Sequence, residues 1–272
     1  MNKIKKTCSA VLAATLLVLT AACGSTESLS IKTKEDLADQ KISVQAGTIG
    51  ESLAQELVGE GNESQVDSYA LYSDAIMALT SKKVAASLLD IGPAQQFVDA
   101  NDDLMILPDQ YEVEQYAIAI KKGNTELLDK INAIVKQLKA DGTIGDIQEK
   151  YATTEVKAAD IDLNTGAAGG VLTMGTEAGF PPYEMAEGDG FIGIDVEIAA
   201  LIAKELDMEL KIENMDFDSL PLALQTDKID FIAAGMTVTP ERQETTDFTE
   251  PYIEDARQVI VIRTEDYAGD QN

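Results

Sequence analysis

The chain has 272 residues, with 48 Asp and Glu against 21 Lys and Arg, a formal charge of −27, and neither His nor Trp. A surface this acidic repels nucleic-acid phosphates. The absence of His excludes Ser-His-Asp and Cys-His catalysis and the commonest zinc ligand, so no metal and no cofactor is expected.

The front of the chain reads as an address. Lys3, Lys5 and Lys6 precede a mostly apolar run at 9–22, too short for a membrane span and suited to a signal-peptide core. Cys8 and Cys23 are the only cysteines. Cleavage before Cys23 would remove three Lys and no acid, taking the formal charge from −27 to −30 and leaving no disulfide. A polar tether at 23–30 follows. Residues 41–46 predict a strand, 51–58 and 73–80 helices, 84–89 a buried parallel strand, 92–98 a helix, and 104–107 and 116–120 strands. Leu127, Ile131, Ile134, Val135 and Leu138 form the clearest helical stripe, with a shorter helix at 144–151. Residues 153–170 are polar or small and read as a linker. Beyond it, 171–177, 209–212, 229–233 and 259–262 predict strands, and 198–206 and 220–225 helices. Thr239-Pro240 opens another helix, with Thr as N-cap and Pro at the first helical position. This alternation is that of an α/β chain.

Three stretches carry resemblances. Leu19-Thr20-Ala21-Ala22-Cys23 resembles a bacterial lipobox, with Thr20 where Leu is usual; that implies a lipid on Cys23 and anchoring to the outer face of the cell membrane. Gly175-Thr176-Glu177-Ala178-Gly179-Phe180-Pro181-Pro182-Tyr183-Glu184, Gly193-Ile194-Asp195-Val196-Glu197, Ala234-Gly235-Met236-Thr237-Val238-Thr239-Pro240-Glu241-Arg242 and Asp247-Phe248-Thr249-Glu250-Pro251-Tyr252 resemble the first lobe of amino-acid-binding proteins of ABC importers. These are the family 3 solute-binding proteins, of type II periplasmic-binding fold. Val44-Gln45-Ala46-Gly47-Thr48, Tyr116-Ala117-Ile118-Ala119-Ile120 and Asp141-Gly142-Thr143-Ile144 resemble the remainder of that family, which ordinarily follows the first lobe and here precedes it.

The resemblance implies a circularly permuted two-lobed fold, each lobe a mixed sheet flanked by helices. The expected divisions are a signal peptide at 1–22, the tether at 23–30, lobe 2 at 31–113, and a return hinge strand with the C-terminal helices of lobe 1 at 114–152. A segment joining the ancestral termini follows at 153–170, then lobe 1 at 171–262 and a polar tail at 263–272. The new ends near Ile31 and Arg263 would cut one of the two strands that cross between lobes.

The expected function is capture of a polar amino acid by a monomer that docks on an importer's membrane subunits. The resemblance assigns the ligand carboxylate to Arg242, which can hold it bidentately at a helix start, with help from Thr237 and Gly235 and from Thr48 on the other lobe. It assigns the ammonium to Asp90 and the side chain to Phe180 and Phe217. Glu177 matches an acid of basic-amino-acid binders; a neutral polar ligand stays open beside a basic one. The residues alone also admit a surface ion pair at Arg242, helix caps at Asp90 and Thr48, and core roles for both Phe. A dehydratase-like enzyme using Asp90 or Glu177 as its acid, and a ligand-sensing surface module, are the competing functions.

Overall fold

The buried run before Asp90 forms an inner strand of one of three sheets in the computed structural model, which describes residues 29–153, 156–161, 163 and 169–269. The expected signal peptide, Cys23 and much of the tether and linker lie outside those residues. In chain order the elements are β1 (Ile42–Gln45), α1 (Ile49–Val58), β2 (Val66–Tyr69), α2 (Tyr72–Thr80), β3 (Ala86–Asp90) and α3 (Ile91–Asp99). Next come β4 (Leu104–Tyr116), β5 (Ala119–Lys121), α4 (Thr125–Ala140) and α5 (Thr143–Thr153). The rest is β6 (Val171–Thr176), β7 (Gly179–Phe180), β8 (Glu184–Glu187), β9 (Gly190–Ile192), α6 (Ile194–Glu205), β10 (Glu209–Asn214), α7 (Leu220–Gln225), β11 (Phe231–Ile232), α8 (Pro240–Thr245), β12 (Thr246–Phe248) and β13 (Ile253–Arg263).

One mixed sheet runs β2-β1-β3-β13-β4, the other β10-β6-β11-β5-β12, and β7-β8-β9 form a small third sheet. Every residue of β1 and β3 is buried, as parallel strands covered by helices require. Helix α4 starts where the Asn124 side chain accepts from the Leu127 N–H, and buries Ile131, Val135 and Leu138. One apolar cluster, including Leu89, Tyr116, Phe180 and Tyr252, joins the two large sheets.

Two expectations about the lobe boundary are corrected by β4 and β13. The expected short strand at 104–107 is the start of a thirteen-residue strand, so the expected division at 113–114 falls inside β4. Residues 253–262, expected in lobe 1, leave that lobe and pair antiparallel with β4 from Ile253 opposite Tyr116 to Arg263 opposite Leu104. Both crossing strands are therefore continuous, and neither is cut.

Residues 263–269, expected as part of a polar tail, are folded against the chain's first described residues. Ile31 and Tyr267 form a parallel bridge, with the Ile31 N–H donating to Asp266 O (2.9 Å) and the Ala268 N–H to Ile31 O (2.8 Å). Asp266 also accepts from the Leu29 N–H at 2.7 Å and stands 2.6 Å from the Arg263 guanidinium. Arg263 donates to Leu79 O and Val84 O, so the two charges are buried because each answers the other.

Candidate functional site

The two large sheets face each other across a nearly closed cleft, with a free volume of about 10 Å³. One wall comes from the sheet containing β1 and β3. Asp90 ends β3 and occupies the N-cap position of α3, but its side chain makes no capping bond. Its carboxylate instead accepts from the hydroxyls of Tyr72 (2.7 Å) and Tyr116, and is 5% exposed. Burial raises its pKa against the opposing pull of those hydroxyls and of Arg242. Thr48 is buried at the cleft wall and does cap a helix: its hydroxyl accepts from the Glu51 N–H (3.3 Å) and donates to Gln45 O (2.8 Å).

The opposite wall comes from the sheet containing β6 and β11. Glu177, just past β6, is buried and accepts from Gln45 Nε2 across the cleft at 3.0 Å; burial raises its pKa. Phe180 lies 5.8 Å from the Tyr72 ring and stacks on Tyr183 at 5.2 Å. Gly235 has φ +51°, and a Cβ there would sit 2.3 Å from the Phe180 ring, so only glycine lets the ring lie against the backbone. Thr237 donates its hydroxyl to Glu114 (2.8 Å).

Thr239 caps α8 by accepting from the Arg242 N–H at 3.1 Å. That holds Arg242 in the first turn, where its guanidinium donates to Thr237 O (2.7 Å) and, across the cleft, to Gly47 O (3.0 Å). It lies 5.5 Å from the Phe217 ring centre. These hydrogen bonds point into the cleft rather than toward Glu241 or Glu244. Burial lowers the arginine pKa, while Asp90 and Glu114 oppose that shift.

All eight residues expected at the site, Glu177, Phe180, Phe217, Gly235, Thr237, Arg242, Thr48 and Asp90, line this one cleft. Gln45, Tyr72, Glu184 and Gln258 line it too and were not anticipated. Glu114 joins them through Thr237. Among the described residues no cluster of His, Cys, Asp or Glu is arranged to hold a metal ion.

Beneath Phe180 lies a pair of acids. Asp195 accepts from the Gly235 N–H (2.8 Å) and the Tyr252 hydroxyl (2.6 Å), and burial pushes its pKa up to about 6. Glu184 is fully buried, and burial with the charges of Asp195 and Glu177 pushes its pKa well above the usual range. Glu114 is pushed up to about 7, by burial first and then by the charge of Asp90. Acids raised in this way stay protonated in the folded chain after the unfolded chain has released its protons. Their contribution to stability is therefore present at low pH and is lost from about pH 4, the unfolded range, through about 6 for Asp195 and 7 for Glu114. For Asp195 alone the loss is about 3 kcal/mol. Calorimetry of the ligand-free protein is expected to show Tm falling from pH 5 to pH 7.5; a Tm that climbs over that interval would refute this account.

The arginine-binding extracellular protein ArtP of Bacillus subtilis (strain 168) is 43% identical over 91 residues, 33% of this chain and 36% of its own length. The L-arginine-binding protein of Pseudomonas aeruginosa is 38% identical over 93 residues, 34% of this chain and 36% of its own. Holo ArgBP from T. maritima is 45% identical, with a TM-score of 0.30 over 30% of this chain and 37% of that one. The chain thus matches little more than a third of the length of these relatives. The pattern of a whole family matches far more of it, over residues 26–154 and 172–268, and on that extent the chain belongs to the bacterial extracellular solute-binding proteins, family 3.

Proposed function

We propose that this protein captures a free amino acid outside the cytoplasm, between its two large sheets, and delivers it to the membrane subunits of an ABC importer. The observation that carries this reading is the pairing of Arg242 from one wall with Asp90 from the other in a single aromatic-lined cleft. A zwitterion presents a carboxylate and an ammonium at once, and a half-buried cation and a buried carboxylate on separate lobes match both only when the lobes are together. The arginine-binding relatives and the buried acid Glu177 support a basic side chain.

Binding rather than turnover is the favoured activity. Asp90 already takes two tyrosine hydroxyls and Glu177 an amide N–H, so each is set to hold a cation rather than to release a proton to a leaving group. The cross-cleft bonds Arg242–Gly47 and Gln45–Glu177 occupy the same groups, so a ligand must replace them. Isothermal calorimetry against the twenty amino acids is expected to find one or a few tight ligands, with L-arginine among them. Arg242→Met should weaken that binding about 30-fold or more, as loss of one partner from a buried charge pair does. No heat with any amino acid would reject the reading.

The swapped order of the family's motifs supports a circular permutant. So do the two uncut crossing strands and the adjoining ends at Ile31 and Tyr267. A chain reordered to run from 169–269 into 29–153 should bind the same ligand with similar affinity. The lipobox-like run supports a lipid tether at Cys23; Cys23→Ser should move the protein from the membrane fraction to the medium.

A further inference from the structure

The crossing strand β13 delivers one more side chain to the cleft. Gln258 stands opposite Asp90 in the β13–β3 pairing, is 1% exposed, and lines the cleft. Its side chain favours the charged forms of Asp90 and Glu114, lowering both pKa values against the rise that burial gives them. A carboxylate only accepts, so that effect comes from the N–H end of the amide. The other end of the amide is different. Gln258 Oε1 is buried and has no hydrogen-bond partner among the described residues.

An unpartnered buried acceptor is unfavourable in a folded chain and calls for a donor. Space for this one is made by Gly50 in the first turn of α1. A Cβ at position 50 would lie 3.0 Å from Oε1 and 3.1 Å from Leu88 O. Glycine is a poor helix residue, so its presence at a buried helical position needs a packing reason, and the amide supplies one.

We propose that Gln258 is a specificity-determining residue of this cleft, its Oε1 accepting an N–H of the ligand's α-ammonium beside Asp90. This rests on the amino-acid-binding reading. An ammonium carries three donors and no acceptor. Asp90 supplies the charge; Gln258 supplies a neutral acceptor fixed from the strand that joins the lobes. Ligands that keep the carboxylate and side chain but lack the ammonium gain nothing from Oε1.

The test compares L-arginine with 5-guanidinopentanoate, and L-glutamine with 4-carbamoylbutanoate, each desamino acid read by competition at millimolar concentration. Gln258→Leu should weaken binding of the amino acid about tenfold or more while changing the desamino acid by less than about twofold. Gly50→Ala crowds Oε1 without removing the amide N–H groups, and suits a helix better than glycine. It should show the same contrast, about threefold or more. Unchanged amino-acid affinity in Gln258→Leu overturns the proposal, as does an equal loss for both members of a pair. If Gln258→Leu fails to fold, the contrast in Gly50→Ala decides by the same criteria. Wild-type protein that binds neither amino acid fails at the underlying reading instead, a result visible before any variant is made.

Discussion

Asp90→Asn is expected to weaken amino-acid binding about 30- to 3,000-fold, corresponding to about 2–5 kcal/mol for a buried charge pair that loses one member, while the ligand-free protein becomes no less stable. The two halves of that expectation have one cause. Asp90 is held in a buried site whose desolvation raises its pKa, so its charge is unfavourable until a cation arrives. The amide removes that cost and retains an oxygen for one of the two tyrosine hydroxyls, and a hydroxyl can turn to accept from the amide N–H in place of the other. Calorimetry gives the affinity and differential scanning calorimetry the Tm. Wild-type affinity in Asp90→Asn would remove Asp90 from the ammonium site; a Tm lowered by several degrees would show that the carboxylate serves the fold instead.

Asp266→Ala should act in the opposite sense, lowering stability while leaving the cleft intact. The residue is 2% exposed, pairs with Arg263 at 2.6 Å and accepts the Leu29 N–H. Its loss strands a buried guanidinium and an amide donor, at a cost of about 3 kcal/mol. For a chain of this size that is a fall in Tm of about 6–12 °C. Arg263→Met combined with Asp266→Ala should recover part of the loss, since no buried charge is then left alone. A single variant melting within about 2 °C of the wild type would mean that the junction of Leu29–Ile31 with Asp266–Ala268 contributes little.

What could be read from the residues was what local chemistry dictates. The stripe from Leu127 to Leu138 became α4, and Thr239-Pro240 became the start of α8 with Arg242 in its first turn. Asp90 and Arg242 stand at the end and the start of elements, but the residues alone admit a helix cap and a surface ion pair there, and only the resemblance assigns them to one site. The length of β4 was not legible: Pro108 and Asp109 interrupt its apolar pattern, and its continuity comes from pairing with a strand some 140 residues away. The strands β7, β8 and β9 are two to four residues long, below what periodicity resolves. Tyr72, Glu114 and Gln258 escaped for a related reason. Nothing near them in sequence marks a site, and they reach it by register, as when Gln258 is set opposite Asp90. The composition argument about His says nothing of the carboxyl groups, whose pKa values burial raises here.

The continuity of both crossing strands has a consequence for how the polypeptide is assembled. Every strand of the second large sheet comes from residues 119–248, an unbroken stretch nested within the first. The first sheet is split: β1 to β4 precede that stretch, and β13, which lies between β3 and β4, follows it. During synthesis from the N-terminus the nested lobe has all its strands while the outer sheet still has a gap in its middle. The inner lobe can therefore finish first, and the outer lobe closes last, around a partner already formed. Its final strand brings Gln258 to Asp90 and Arg263 to Asp266, so the act that completes the outer sheet also completes the cleft.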